Sequence, residues 1–165
     1  MEIRQLKPAD AETVYKLRIE ALKNNPDAFA TRLEDALKKP VEATKERLSS
    51  ESAVTFGAFI SGKLVGNMSL SRELTPRMNH RAMIVAVYVT PTERGKGIAG
   101  LLLSALIEHA KKWNGLEQLH LTVSSHNENA KNLYRRFGFE TYGVDVKAMK
   151  TPENYIDEDL MVKFL

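Results

Sequence analysis

The sequence predicts a single mixed α/β domain over residues 1–165, with about seven strands and four helices. Three observations support this fold class. Segments that alternate like strands are interleaved with segments whose apolar residues recur at helical spacing. A Ser-Gly-Lys turn at 61–63 joins two strand-like segments, and a glycine-rich turn links a β-branched run to an apolar helix. No repeat, low-complexity tract or linker divides the chain.

The first half of the chain is expected to contain one strand, two helices and a hairpin. Residues 2–6 alternate like a strand, and Pro8 and Asp10 then mark a helix start, followed by Val14, Leu17, Ala21 and Leu22 at helical spacing. The Asn24–Asp27 turn ends this helix, and the polar segment through Pro40 is predicted to be irregular. A short helix at 41–48 and hairpin strands at 53–60 and 64–71 complete this half.

The second half is expected to alternate strands and helices before a final strand pair. A strand at 81–89 precedes a helix at about 97–113, which Asn114-Gly115 should end. The apolar run at 119–123 predicts a parallel-type strand. A helix at 127–137, closed by Gly138 in a left-handed conformation, leads to the last strands at 139–146 and 155–164.

Composition excludes several classes of protein. The net charge is only +3 and basic residues alternate with acidic ones, so nucleic-acid binding is not implied. The chain has no cysteine, which excludes disulfides, thiolate metal sites and a cysteine nucleophile. Its four histidines lack metal-ligand spacing, so no metal site is expected. Without a membrane-length apolar run or a signal-peptide pattern, the protein is expected to be soluble and cytoplasmic.

The most informative segment is Val85–Leu103, where a β-branched strand ends in Pro91, a glycine-rich turn follows, and an apolar helix begins. Small residues let an anion approach the backbone closely, and the unpaired N–H groups of a helix's first turn point toward it. Phosphates or a pyrophosphate therefore fit this turn. Alternatively, the glycines serve only to join strand to helix.

The run Gly95–Gly100 also matches the G-x-G-x-x-G pattern of dinucleotide-binding folds. That fingerprint usually lies in the first strand–helix unit, whereas this loop lies past mid-chain. About twenty residues later, His120 and Val123 stand where an acidic ribose ligand is expected. A Walker A loop is excluded because Lys96 precedes Gly97 and not Ser or Thr.

The loop resembles the acetyl-CoA pyrophosphate motif of the GNAT N-acetyltransferase superfamily, Arg/Gln-x-x-Gly-x-Gly/Ala, at Arg94, Gly97 and Ala99. The preceding Val89–Arg94 run also fits the family's Val-x-Pro-x-x-Arg pattern. Downstream, residues 127–139 resemble its second cofactor motif, Asn-x-x-A-x-x-hydrophobic-Tyr-x-x-x-Gly-Phe. Two motifs in the right order and spacing are much more specific than either alone.

This resemblance implies a mostly antiparallel twisted sheet containing a splayed parallel pair of strands. It implies that the bulged fourth strand binds the pantetheine arm of acetyl-CoA through Val87, Tyr88 and Val89. The loop would bind the pyrophosphate through Arg94, Gly95, Lys96, Gly97, Ile98, Ala99 and Gly100. Asn127 and Asn132 are further cofactor candidates, and Tyr134 corresponds to the general acid that protonates the departing thiolate. Alternatively, Tyr134 packs in the core and Asn127 caps its helix.

Acetyl transfer requires a neutral amine beside the thioester, and the expected acceptor is a primary amine of a small molecule or peptide. Without a cysteine, the amine should attack acetyl-CoA directly in a ternary complex. The general base stays unassigned because the 81–89 strand has no carboxylate, although four residues are conceivable through water: Glu34, Glu73, His80 and His126. The alternative function is an acyl-CoA-binding or sensory module with little catalysis.

By the same resemblance, the acceptor should be recognised by Leu22–Pro40 and Met149–Tyr155. Acidic residues in or near these segments could attract a cationic polyamine, aminoglycoside or lysine side chain: Asp27, Glu34, Asp35, Asp157, Glu158 and Asp159. A homodimer is a further expectation, because an exposed last strand at 161–165 would be an edge open to a second copy.

Overall fold

A computed structural model describes residues 1–165 and contains five α-helices and seven β-strands. The first half comprises β1 (Glu2–Gln5), α1 (Ala11–Asn24), α2 (Leu33–Leu37), α3 (Val41–Leu48), β2 (Ala53–Ile60) and β3 (Lys63–Arg72). The second comprises β4 (Arg81–Val89), α4 (Ile98–Lys111), β5 (Gln118–Ser124), α5 (Glu128–Arg136), β6 (Glu140–Lys150) and β7 (Tyr155–Phe164). None of the helices has the length and apolar character needed to cross a membrane.

The seven strands form one mixed sheet in the order β1-β2-β3-β4-β5-β7-β6. The β4–β5 pair is parallel, whereas the pairs β1–β2, β2–β3, β5–β7 and β6–β7 are antiparallel. This arrangement confirms the predicted fold class of a mostly antiparallel sheet with one parallel pair. The predicted left-handed Gly138 after α5 is also confirmed, with φ +83°.

Two local expectations were wrong. The segment predicted to be irregular contains α2, whose five residues are too few to show helical periodicity. At the start of α2, the Arg32 side chain forms ion pairs with Glu34 and Asp35 of the first turn. The last strand is not an edge, because β7 lies between β5 and β6. The edge strands are β1 and β6. The predicted homodimer therefore loses the argument based on an exposed β7 edge and stays a prediction.

The chain forms two compact units. The first unit comprises Met1–Ser71 and Val85–His109. In its core, α1 contributes Val14, Leu17 and Ala21, which are buried with Leu6, Phe59, Leu64 and Tyr88. Burying each of the larger apolar side chains contributes roughly 1.5–3 kcal/mol. This packing holds α1 against Tyr88 in the second half of β4. The residues predicted to bind the pantetheine arm lie in that half of the strand, and the predicted pyrophosphate loop follows it in the sequence.

The second unit comprises Arg72–Ile84 and Ala110–Leu165. Strand β5 is central to it and buries Leu119, Leu121 and Val123, which alternate along one face. It pairs with β7 from Gln118↔Phe164 to Ser124↔Glu158. Strand β5 is thus held by β7 along its whole length. Helix α5, which contains the second predicted motif, follows β5 in the sequence.

Candidate active site

The glycine-rich loop of the first unit has an exposed backbone. Gly95 and Gly97 have φ values of +78° and +79°, in the left-handed region that residues with a side chain rarely adopt. A Cβ added to either glycine would have no heavy atom within 4 Å. Helix α4 begins immediately afterwards at Ile98, so the N–H groups of its first turn lack intrahelical acceptors. An open loop followed by a helix N-terminus fits the pyrophosphate of acetyl-CoA.

The two basic side chains of the loop have partners within the first unit. The Arg94 guanidinium donates from Nε to the Val89 carbonyl at 2.9 Å and from Nη2 to Asn25 Oδ1 at 2.6 Å. Lys96 Nζ lies 2.7 Å from Glu93 Oε2. Arg94 thus ties the loop back to the end of β4 and to the end of α1. The Val89 carbonyl therefore accepts one hydrogen bond from Arg94, and its second lone pair remains available, so the predicted contact of Val89 with the pantetheine arm stays a prediction.

The β4 backbone is irregular where the resemblance implied a bulge. Ala86 has a φ of +53°, and its carbonyl accepts a hydrogen bond from Asn67 Nδ2 at 3.1 Å. A left-handed conformation at a residue with a Cβ costs roughly 1–2 kcal/mol. The parallel ladder between β4 and β5 contains only Arg81–Met83 and their partners Gln118–His120. The residues after Met83, including Val87, are therefore not hydrogen-bonded to β5.

Tyr88 lies in this part of β4, and its side chain points into the core of the first unit. Its hydroxyl donates to Glu20 Oε1 at 3.1 Å and accepts from Asn24 Nδ2 at 3.0 Å. Thr90 Oγ1 donates to the same Glu20 oxygen at 2.7 Å. Burial is the largest cause that raises the pKa of the Tyr88 phenol. Only the backbone of Tyr88 is thus suited to contact a cofactor, and Glu20 joins the cluster as a residue that sequence patterns missed.

The second predicted motif forms α5 in the second unit. Tyr134 is only 5% exposed, and its ring packs edge-on against Phe139 with centroids 5.9 Å apart. Burial raises its pKa to about 12. Its hydroxyl donates no hydrogen bond to another protein group. Asn132 is exposed and accepts from Arg135 Nη1 at 3.0 Å.

Asn127 caps α5, because its Oδ1 accepts a hydrogen bond from the Ala130 N–H at 3.1 Å. Replacing Asn127 with Ala is expected to cost about 1 kcal/mol of unfolding free energy, the typical value of such a cap. Asn127→Ser retains the cap and serves as the control. If Asn127 also binds the cofactor, the serine variant will unfold like wild type yet have a higher KM for acetyl-CoA. Urea unfolding and steady-state kinetics on both variants separate the two roles.

A buried ion pair joins α5 to β7, and its cation, Lys131, precedes Tyr134 by three residues. Lys131 and Asp159 have side chains only 8% and 10% exposed, and Lys131 Nζ lies 3.6 Å from Asp159 Oδ2. The ammonium also lies 2.6 Å from Oε1 of the exposed Glu128 and donates to the Ser125 carbonyl at 2.7 Å. Ser125 Oγ donates to Asp159 Oδ1 at 2.7 Å. The Ser125 hydroxyl, followed by Lys131, lowers the pKa of the Asp159 carboxyl. The pair anchors α5 to β7 and to the end of β5.

Comparison with known proteins supplies the decisive observation. The profile of the acetyltransferase (GNAT) family matches residues 14–139, most of the chain. This chain belongs to the GNAT acetyltransferase family. The matched range includes Gly95–Gly100, whose binding of the cofactor pyrophosphate stays a prediction.

This member of the GNAT family resembles a curated relative and two solved structures. The Escherichia coli streptothricin acetyltransferase is 38% identical over 116 residues, which cover 68% of this chain and 62% of that protein. A GNAT-family acetyltransferase from Streptococcus pneumoniae has a TM-score of 0.89 and 25% identity, with 99% of both chains covered. A putative acetyltransferase from Salmonella typhimurium, solved with its cofactor acetyl-CoA, has a TM-score of 0.85 and 20% identity, covering 99% of this chain and 93% of that one.

Most of the acidic residues that were expected to attract the acceptor are paired with other groups of the protein or are buried. Glu34 and Asp35 are paired with Arg32. Asp157 Oδ1 accepts the Lys147 N–H at 2.7 Å. Asp159 is buried, which corrects its interpretation as an acceptor-facing acid. No group of three or more His, Asp or Glu side chains is arranged to hold a metal ion.

Proposed function

We propose that this GNAT protein transfers the acetyl group of acetyl-CoA directly to a primary amine of a small molecule or peptide within a ternary complex. The observation that carries the proposal is the open loop at Gly95 and Gly97, which leads directly into the N-terminus of α4, where backbone N–H groups without intrahelical acceptors favour an anion. Two similarities support it: one relative is named for acetyl transfer to streptothricin, and a structure of the same fold was solved with acetyl-CoA.

The first unit supplies cofactor binding in this mechanism. Backbone N–H groups of Gly95–Gly100 bind the pyrophosphate, with the positive end of the α4 dipole behind them. Backbone groups of Val87 and Tyr88 bind the amide-rich pantetheine arm, as an adjacent strand would. Arg94 positions the loop through Val89 and Asn25. Lys96, Ile98, Ala99 and Gly100 complete the proposed cofactor site.

The second unit supplies the proton donor. With a pKa of about 12, the Tyr134 phenol keeps its proton at neutral pH. By the family resemblance, this protonated phenol would donate its proton to the departing thiolate as the general acid. Asn127 and Asn132 are proposed to contact the cofactor on the same helix.

The test is the release of free CoA from acetyl-CoA, followed with a thiol reagent. The chain has no cysteine, so the protein adds no thiol background. Polyamines, aminoglycosides, amino acids and peptides are each compared with a blank without amine. Amine-dependent release supports the proposed reaction and identifies the acceptor class. If acetyl-CoA binds but no amine in any class promotes release, the acyl-CoA-binding or sensory module becomes the better account.

A further inference from the structure

The β-sheet of the second unit has one buried face and one face that is only partly covered. Residues paired directly across two strands share a face, and so do residues two apart along a strand. The buried face contains four apolar residues with 0% to 2% exposure: Ala82, Leu119, Leu121 and Met161. The opposite face, named the outer face, comprises Arg81 and Met83 of β4, Gln118 and His120 of β5, Val162 of β7 and Glu140 of β6.

The outer face has exposed apolar side chains. Phe164 lies on this face two residues after Val162 and is 68% exposed, while Val162 and Met83 are partly buried. Tyr142 is 55% exposed and lies on the same face, because its ring packs edge-on against His120 with centroids 5.7 Å apart. The solvated face of an antiparallel sheet is normally polar. Neighbouring exposed apolar side chains are typical of a protein–protein contact.

Two opposite charges on the outer face have no partner within the chain. The Arg81 guanidinium forms no ion pair, and its Nε is buried without a hydrogen-bond acceptor. Glu140 lies on the edge strand β6, is exposed and forms no ion pair. By contrast, Lys131 and Asp159 of the same unit are paired with each other. The outer face therefore presents one unpaired cation on β4 and one unpaired anion on β6.

The positions of these two charges make the outer face self-complementary. Strands β4, β5, β7 and β6 are neighbours in that order. Arg81 pairs with Gln118 of β5, and Glu140 pairs with Val162, which itself pairs with His120. The midpoint between Arg81 and Glu140 is therefore on the two central strands, near His120 and Val162. A twofold axis at this midpoint would place Arg81 of each copy opposite Glu140 of the other.

His120, near the centre of the outer face, adds no charge there. Its Nε2 lies 2.9 Å from Gln118 Oε1, and its Nδ1 lies 3.4 Å from the Tyr142 hydroxyl. Burial, followed by the charges of Arg81 and His80, lowers the pKa of the His120 ring, so the ring is neutral at neutral pH. A second copy can therefore cover this ring without burying an unpaired charge.

We propose that the outer face binds a second copy of this chain in a twofold-symmetric dimer with two Arg81–Glu140 ion pairs. Association would remove the apolar surface of Met83, Val162 and Phe164 from water, which is favourable. The two ion pairs would fix the relative orientation of the copies, because other registers leave like or unpaired charges in contact. This interface replaces the β7 edge as the surface for self-association, and it does not depend on the proposed acetyl transfer.

The test measures the mass of the protein by light scattering and its dissociation constant by sedimentation equilibrium over a series of concentrations. Wild type is expected to reach twice the 18.6 kDa of one chain. Arg81→Glu and Glu140→Arg each place like charges at both symmetry-related contacts, so each should raise the dissociation constant by about 100-fold or more. The double variant restores opposite charges in exchanged positions and should return to within about tenfold of wild type.

Two control variants keep the assignment specific. Lys112→Glu makes the same charge change as Arg81→Glu at an exposed position of the same unit, and its dissociation constant should match wild type. Glu158 lies on the outer face four residues before Val162 on β7. If Glu140 is the partner of Arg81, adding Arg81→Glu will not rescue any weakening caused by Glu158→Arg.

The remaining outcomes overturn the proposal. A protein that stays at 18.6 kDa at every concentration has no such dimer. A dimer whose dissociation constant is unchanged in R81E and E140R uses another surface, and rescue of E158R by R81E would overturn the Arg81–Glu140 pairing. Circular dichroism shows whether each variant is folded. If R81E is not folded, E140R and Phe164→Ser, both at exposed positions, carry the comparison, and each should weaken the dimer relative to K112E.

Discussion

Replacing Tyr134 with Phe is expected to lower kcat by about 10²-fold or more, the range of a general acid, while acetyl-CoA affinity is unchanged. The substitution removes one hydroxyl oxygen and keeps the ring against Phe139. Folding should therefore be preserved. Steady-state kinetics and an acetyl-CoA binding titration together measure the effect on chemistry apart from the effect on binding.

The pH dependence sharpens this prediction. Because the Tyr134 pKa is about 12, the phenol is protonated throughout the usual assay range, and the defect should be constant there. Tyr142→Phe is a matched control, since Tyr142 is an exposed tyrosine of the same unit. Unchanged turnover in Y134F, with native acetyl-CoA affinity, would remove Tyr134 from the role of acid.

Lys131→Met is expected to lower the free energy of unfolding by about 3 kcal/mol, because removing one member of a buried ion pair leaves the other uncompensated. Asp159 would keep its Ser125 hydrogen bond but lose its buried cation. Methionine has a similar length and apolar stem, so lost packing contributes little. Urea unfolding monitored by circular dichroism measures the change.

A double variant and acid titration test the assigned cause. Adding Asp159→Asn to Lys131→Met removes the unpaired charge and should restore part of the lost stability. Because the pKa of Asp159 is lower in the folded than in the unfolded protein, its ionised form stabilises the fold. This contribution to the free energy of unfolding is fully present above the unfolded pKa of about 3.9 and is lost as the pH falls through the folded pKa. Lys131 also lowers the pKa of Glu128, so both carboxylates act in the same direction. The difference in unfolding free energy between wild type and K131M should therefore narrow in acid. A gap that is independent of pH would assign the loss to packing instead.

Elements with strong local signals could be predicted from the sequence. The strand, loop and helix around Gly95 and Gly97 are encoded by turn residues and by apolar periodicity within a few positions of each other. The bounds predicted for β7, Tyr155–Phe164, are those of the structure. Helix α2 could not be found in this way, because one and a half turns carry almost no periodic signal.

The site was less predictable because its missing parts depend on contacts distant in sequence. Glu20 meets Tyr88 and Thr90, separated from it by 68 and 70 positions, and no local pattern encodes that pairing. Asp159 looks like a surface acid in a row of acidic residues, yet Lys131 and Ser125 make it a buried anchor. Tyr134 and Asn127 were singled out by motif resemblance. The structure confirms the alternatives stated for their side chains, since Tyr134 is buried and Asn127 caps α5, and their roles toward the cofactor stay predictions.

The Arg94–Asn25 hydrogen bond has a consequence for engineering this protein. Asn25 is the C-cap of α1 and opens the connection that is proposed to recognise the acceptor, while Arg94 starts the proposed cofactor loop. A library that randomises or lengthens this connection to admit new amines would also displace the anchor of the cofactor loop. Selection for a new acceptor would thus be confounded by weaker acetyl-CoA binding, so Asn25 should be held constant while the residues from 26 onward are varied.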